Sequence, residues 1–199
     1  MNKAEYLVAI GASAGGLEPM IKVIKSLKKT SSIAYVILMH LQRDHKSFLT
    51  DILSSKTELP VVKITSAMVP QADHIYVLTE NTFATIEDGQ IQVRDRLESE
   101  KINQAVNIFY KSMAETYRDK SIAVILSGSG DDGFAGSQVI KEAGGLLLVQ
   151  DPETADFKGM PGTIVNKDHP DAVIVPGDLA DYLVTYLSAS RNNLESSLP

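Results

Sequence analysis

At 199 residues the chain is long enough for one domain with a sizeable core, and its 44% hydrophobic and 22% charged residues are those of an ordinary globular protein. A formal net charge of -6 and the lack of any basic run argue against a nucleic-acid surface. With no cysteine, disulfides, thiolate nucleophiles and cysteine metal sites are excluded; with no apolar run near the roughly 18 residues of a membrane span and a poor signal peptide in "MNKAEYLVAI", the cytoplasm is the expected compartment.

Short apolar runs rich in β-branched residues alternate with helical patterns along the chain. Residues 6–10 read as a strand, followed by a helix over 17–29 whose Leu17, Met20, Ile21, Ile24 and Leu27 form one stripe. A strand at 34–39 leads to a helix at 47–56, with Ser47 placed to cap it. Short strands follow at 61–64 and 74–78, and 82–93 alternates around Asp88-Gly89 as a hairpin does. The pattern at 102–117 sets Ile102, Val106, Phe109, Met113 and Tyr117 on one helical face. A near-continuous apolar strand at 121–127, a helix at 134–145, strands at 146–150 and 172–176 and a last helix from Gly177 complete the pass.

Continuous apolar strands alternating with helices predict an α/β fold: a doubly wound, mostly parallel sheet with helices on both faces and a small β-hairpin. No repeat or internal linker interrupts it, so one domain is expected over 1–190, with "RNNLESSLP" (191–199) as a polar tail or the start of a linker.

In such a sheet, sites form beyond the carboxyl ends of the strands. The first strand ends at Gly11-Ala12-Ser13, the second at Met39-His40, and the strand at 121–127 runs into "SGSGDDG" with Asp131 and Asp132. A serine, a histidine and a carboxylate therefore follow three separate strands. A serine hydroxyl becomes a nucleophile when an imidazole takes its proton, and a carboxylate on the other ring nitrogen fixes the tautomer. Gly11-x-Ser13-x-Gly15 has the sharp turn that exposes such a hydroxyl. Helix N-termini after Gly16 and Gly133 offer N–H groups for a developing oxyanion.

Each piece also has a plainer reading. Ser13 in a glycine turn suits a structural or phosphate-binding corner, His40 a satisfied strand-end histidine, and either aspartate a turn or cap. His45 lies close to His40 with Asp44 between, yet no third convergent metal ligand stands out, and His74 and His169 read as surface or strand-edge residues. A dinucleotide fold would want glycine at Ser13 and an acid in place of His40. The α/β-hydrolase order serine, acid, histidine is not the order found here.

The stretches "IGASAGGLEPM", "VILMHLQRDHKSFL", "VILSGSGDDGFAGSQVIKEAGG" and "VQDPETADFKGMPGTIV" resemble, in order and spacing, the catalytic domain of CheB-type protein-glutamate methylesterases. That resemblance runs from about Tyr6 to Leu187. It implies a hydrolase of γ-glutamyl methyl esters on the cytoplasmic helices of chemotaxis receptors, with deamidation of receptor glutamines in many members. It places the nucleophile at Ser13, the base at His40, the acid at Asp132, oxyanion donors at the backbone N–H of Ala14 and Ser129, and Met160 at the rim of the site, with no cofactor and no metal. The wording of the motifs is similar to CheB-like domains at the front of hybrid proteins with a CheR-like methyltransferase behind, and a start at Met1 with a polar stop at Pro199 suits an excised first domain. A receiver domain, usual in the family, is not in the sequence, and the family's "PSVD" reads "QAVN" here, Gln104 to Asn107. The resemblance leaves a glutamine deamidase or a catalytically silent regulatory module as alternatives.

Overall fold

The structure is a computed structural model that describes residues 2–41 and 46–196, with side chains through 189. Its elements are β1 (Tyr6–Ala12), α1 (Leu17–Ser26), β2 (Ile33–Met39), α2 (Leu49–Ser54), β3 (Val61–Ile64), β4 (Ile75–Leu78), β5 (Thr82–Glu87), β6 (Gln90–Asp95), α3 (Ala105–Tyr117), β7 (Ser121–Ile125), α4 (Phe134–Glu142), β8 (Leu146–Gln150), α5 (Gly159–Lys167), β9 (Ala172–Ile174) and α6 (Leu179–Ser196). Seven strands pair in the order β3-β4-β2-β1-β7-β8-β9, every neighbouring pair parallel, and β5 with β6 forms a separate antiparallel hairpin. The fold is the expected doubly wound α/β sheet with a hairpin.

Every residue of β1 is buried, because the sheet is covered on both sides. Tyr6, Val8, Ile10 and Ala12 face Met20 and Ile24 of α1, Leu53 of α2 and Leu183 of α6. Leu7 and Ala9 face the opposite layer, with Phe109 of α3, Ile140 of α4, Ile164 of α5 and Phe83 of the hairpin. From β1 the chain winds one way through β2 and the other way from β7, so the strand order reverses between β1 and β7. That reversal opens a crevice beyond their carboxyl ends. Gly11 lets the first turn of α3 settle there: a Cβ on it would lie 2.6 Å from Val106 Cγ1.

Tyr110 of α3 staples the helix to both central strands. Its buried hydroxyl donates to the carbonyl oxygens of Val124 (2.8 Å) and Ala9 (3.2 Å), and burial pushes its pKa far above the usual tyrosine range. Tyr110→Phe is expected to lower stability by about 1 kcal/mol, read as a shifted urea midpoint at unchanged slope. An unshifted midpoint would show that the bond adds nothing net.

Several boundaries differ from the sequence reading, for local reasons. Helix α1 stops at Ser26, three residues before Lys29. Helix α3 starts at Ala105, so Ile102 is 74% exposed and does not share the buried face of Val106 and Phe109. Helix α2 is shorter than expected, with Phe48 at its N-cap position. Ser47 still organises the entry: its Oγ accepts the Leu49 N–H (3.1 Å), and its own N–H donates to the Glu80 carboxylate, which lowers the Glu80 pKa. Helix α5 has no helical signature in the sequence, because Gly159, Pro161 and Gly162 look like a turn. Pro161 lies in its first turn, where a missing N–H costs no intrahelical bond. Helix α6 runs to Ser196.

Candidate active site

The backbone after β1 folds into a tight turn. The Ser13 N–H donates to the Ser127 carbonyl (3.0 Å) and the Gly16 N–H to the Ser13 carbonyl (3.0 Å). Gly15 closes the turn at φ 68°, a left-handed conformation that glycine adopts without a Cβ penalty. One strand over, the His40 N–H donates to the Ala12 carbonyl (3.0 Å), extending the β1–β2 register so that His40 sits beside the residue preceding Ser13. On the other side of β1, the segment after β7 delivers Asp132.

His40 Nε2 and Asp132 Oδ2 are 2.7 Å apart, with the two side chains 17% and 6% exposed. The carboxylate also accepts the N–H of Val106 at Oδ2 (3.0 Å) and of Asn107 at Oδ1 (2.9 Å). Asp132 therefore receives two otherwise unpaired donors at the positive end of α3. Since a carboxylate only accepts, Nε2 carries a proton in this contact, and Nδ1 has no hydrogen-bond partner among the described residues. Asp131, by contrast, is exposed, and its carbonyl accepts the Phe134 N–H (3.0 Å) in the turn into α4.

Two peptide groups, one after Ser13 and one after Gly128, have their carbonyls held by other N–H groups. The Ser13 carbonyl is held by Gly16, and the Gly128 carbonyl by the Met160 N–H (2.9 Å). All peptide bonds here are trans, so the N–H groups of Ala14 and Ser129 point the opposite way from those carbonyls. Neither has an acceptor among the described residues. The N-terminus of α4 differs from expectation: Asn107 Oδ1 accepts the N–H of both Gly133 (3.0 Å) and Gly136 (2.8 Å), so these donors are already used. Asn107 thus braces the aspartate loop against α3, a role its place in "QAVN" did not announce.

Met160 is buried, 1% exposed, and packs behind Gly128. A Cβ on Gly128 would lie 2.1 Å from Met160 Sδ and 3.1 Å from Ser13 Cβ, so Met160 backs the wall next to the serine. Ser13 Oγ has no hydrogen-bond partner among the described residues, His40 included. The structure thus joins His40 and Asp132 by direct contact and brings Ser13 beside them through the backbone. His74 and His169 precede β4 and β9, at the amino ends of strands and away from this group. Asp44 and His45 lie outside the described residues. A cavity of about 640 Å³ between the C-terminal ends of α1 and α2, lined by Lys25, Lys28 and Lys56 among others, is likewise at the amino ends of the strands.

Residues 8–183 match the protein-family model described as CheB methylesterase. The chain belongs to the CheB methylesterase family. The crystal structure of the Thermotoga maritima CheB methylesterase catalytic domain superposes with a TM-score of 0.82 at 27% sequence identity, covering 94% of this chain and 99% of that one. A putative protein-glutamate methylesterase/protein-glutamine glutaminase of Leptospira interrogans is 29% identical over 195 residues, 94% of this chain and 96% of that protein. The Trichodesmium erythraeum protein-glutamate methylesterase/protein-glutamine glutaminase is 27% identical over 182 residues, 89% of this chain and 52% of that protein. The chain thus spans about half the length of that relative. Membership of the CheB family agrees with the resemblance read from the four sequence motifs, and the Thermotoga domain with the fold expected of them.

Proposed function

We propose that the chain is a serine hydrolase that demethylates γ-glutamyl methyl esters on the cytoplasmic helices of chemotaxis receptors. The His40–Asp132 contact carries this reading, because it fixes the imidazole by its Nε2 next to the Ser13 turn and turns Nδ1 away from the carboxylate. Ser13 Oγ attacks the ester carbonyl carbon while His40 Nδ1 takes its proton, and Asp132 holds the Nε2–H and stabilises the imidazolium. The ring is reversed relative to the chymotrypsin arrangement, with the same division of roles. The negative charge on the carbonyl oxygen meets the N–H groups of Ala14 and Ser129. Collapse breaks the C–O bond to the methoxy group, which leaves as methanol with the proton from His40. Water, deprotonated by His40, then attacks the acyl-Ser13 ester, and free glutamate and Ser13 are restored.

The names of the relatives favour a second activity of the same group, deamidation of a glutamine side chain, in which ammonia is the leaving group. The wording of the motifs supports an attached CheR-like methyltransferase as a further partner. A catalytically silent module would bind a receptor fragment without turnover, and the His40–Asp132 pair argues for the active reading. The test supplies a methylated receptor fragment and its glutamine counterpart in parallel assays. Methanol release is expected, faster than ammonia release from the amide, since an alkoxide is the better leaving group. Ammonia release without methanol release would replace the esterase reading with the deamidase one.

A further inference from the structure

We propose that Ser127 is the positioning residue of the oxyanion hole, an inference that rests on the reading just given. Ser127 follows the end of β7, is fully buried, and uses every polar atom it has. Its carbonyl accepts the Ser13 N–H (3.0 Å). Its Oγ donates to the Ala14 carbonyl (3.0 Å) and accepts the Phe157 N–H (3.1 Å), with the Phe157 carbonyl a longer alternative acceptor at 3.4 Å. Its N–H donates to Gln150 Oε1 (2.8 Å). Gln150, 2% exposed at the end of β8, is anchored in turn by donating Nε2 to the Thr154 carbonyl (3.0 Å) and Oγ1 (3.2 Å).

The consequence is geometric. The N–H of residue 13 and the carbonyl of residue 14 are both tied to Ser127, so the peptide that carries the Ala14 N–H is anchored on either flank, while its own carbonyl, that of Ser13, is held by the Gly16 N–H (3.0 Å). The second donor belongs to the same assembly. The Gly128 N–H donates to the Phe157 carbonyl (3.0 Å), and Phe157 is the residue whose N–H the Ser127 hydroxyl holds. One buried hydroxyl thus links the segment that carries the Ala14 donor to the Phe157 segment that holds Gly128, the residue before Ser129, although it touches no reacting atom. Oxyanion donors act within a narrow range, about 2.7–3.1 Å from the charged oxygen, and a 1 Å misplacement costs on the order of 100-fold. Because the donors strengthen as charge develops, the loss belongs in kcat and not in KM.

The test measures methanol release from a methylated receptor fragment, phosphonylation of Ser13 by a fluorophosphonate, and thermal unfolding. It compares the wild type with Ser127→Ala, Ser127→Thr and Gln150→Met. Ser127→Ala is expected to lower kcat and the phosphonylation rate about 10- to 100-fold per folded molecule, with KM within about twofold. The pH profile should not move, since the His40–Asp132 contact does not pass through Ser127. Ser127→Thr keeps the hydroxyl and is expected to recover activity to within about threefold of wild type. Gln150→Met frees the Ser127 N–H and should give a smaller loss of kcat, which decides the matter should Ser127→Ala not fold. A folded Ser127→Ala with wild-type kcat, a loss carried by KM, or, where the alanine variant does not fold, wild-type kcat in Gln150→Met overturns the proposal. A wild type phosphonylated at Ser13 that releases no methanol overturns the substrate reading alone, and the phosphonylation rates then judge Ser127. A wild type inert in both assays overturns both.

Discussion

Ser13→Ala is expected to leave the fold intact and to lower methanol release by about 10⁶ in turnover, the loss measured when the nucleophile of a well-studied serine protease is removed. The fold should persist because Ser13 is held through its backbone. Its N–H and carbonyl are bonded to Ser127 and Gly16, whereas Oγ has no partner among the described residues. Losing an unbonded hydroxyl usually changes stability by no more than about 0.5 kcal/mol, so the melting temperature should match the wild type. If the purified variant retained a tenth of the wild-type rate, Ser13 would not be the nucleophile, and the glycine turn would revert to a structural or phosphate-binding corner.

Asp132→Asn is expected to damage catalysis and stability together, and Asp131→Asn neither. An asparagine at 132 would leave the imidazole free to adopt the wrong tautomer, and in a model serine protease that change costs about 10⁴ in kcat. The same side chain accepts the Val106 and Asn107 N–H groups, so its new amide NH₂ must face at least one donor in a nearly buried place. A buried donor left unpaired costs about 1–3 kcal/mol. Asp131 is exposed and enters the turn through its carbonyl, so Asp131→Asn should stay within about 0.5 kcal/mol of wild type. Thermal melting and methanol release per folded molecule check all three quantities. The assignment is reversed if Asp131→Asn proves the more harmful to turnover at equal folding.

Some of this was legible in the residues alone. Continuous apolar runs such as "YLVAI" and "SIAVI" specify strands buried on both faces, because burial there is near-continuous along the strand and does not alternate. Parallel strands all point their carboxyl ends to one side. Three strands ending in Ser13, His40 and Asp131-Asp132 therefore had to present those groups along one edge of the sheet, and the strand order β2-β1-β7 makes them neighbours there. The positions of Ala14, Ser129 and Met160 came only through the resemblance to the CheB family, since a backbone donor has no side-chain signature.

Tertiary structure decided the rest, and each case is a contact between residues far apart in the chain. Both aspartates stand beside a glycine in "GDDG". What separates them is the first turn of α3, whose N–H groups reach Asp132 across 25 and 26 residues once Gly11 lets Val106 approach β1. Asn107 could not be read as the brace of Gly133 and Gly136, nor Ser127 as the tie on Ala14 across 113 residues, because local spacing carries no trace of either bond. Ile102 fitted the helical period yet stands in solvent, since α3 begins only where Asp132 supplies acceptors for its first free N–H groups. Helix α5 hid behind Gly159, Pro161 and Gly162, residues that end helices in isolation. Here the helix forms because Met160 and Ile164 bury against the core, and packing of that kind outweighs the weak local preference against it.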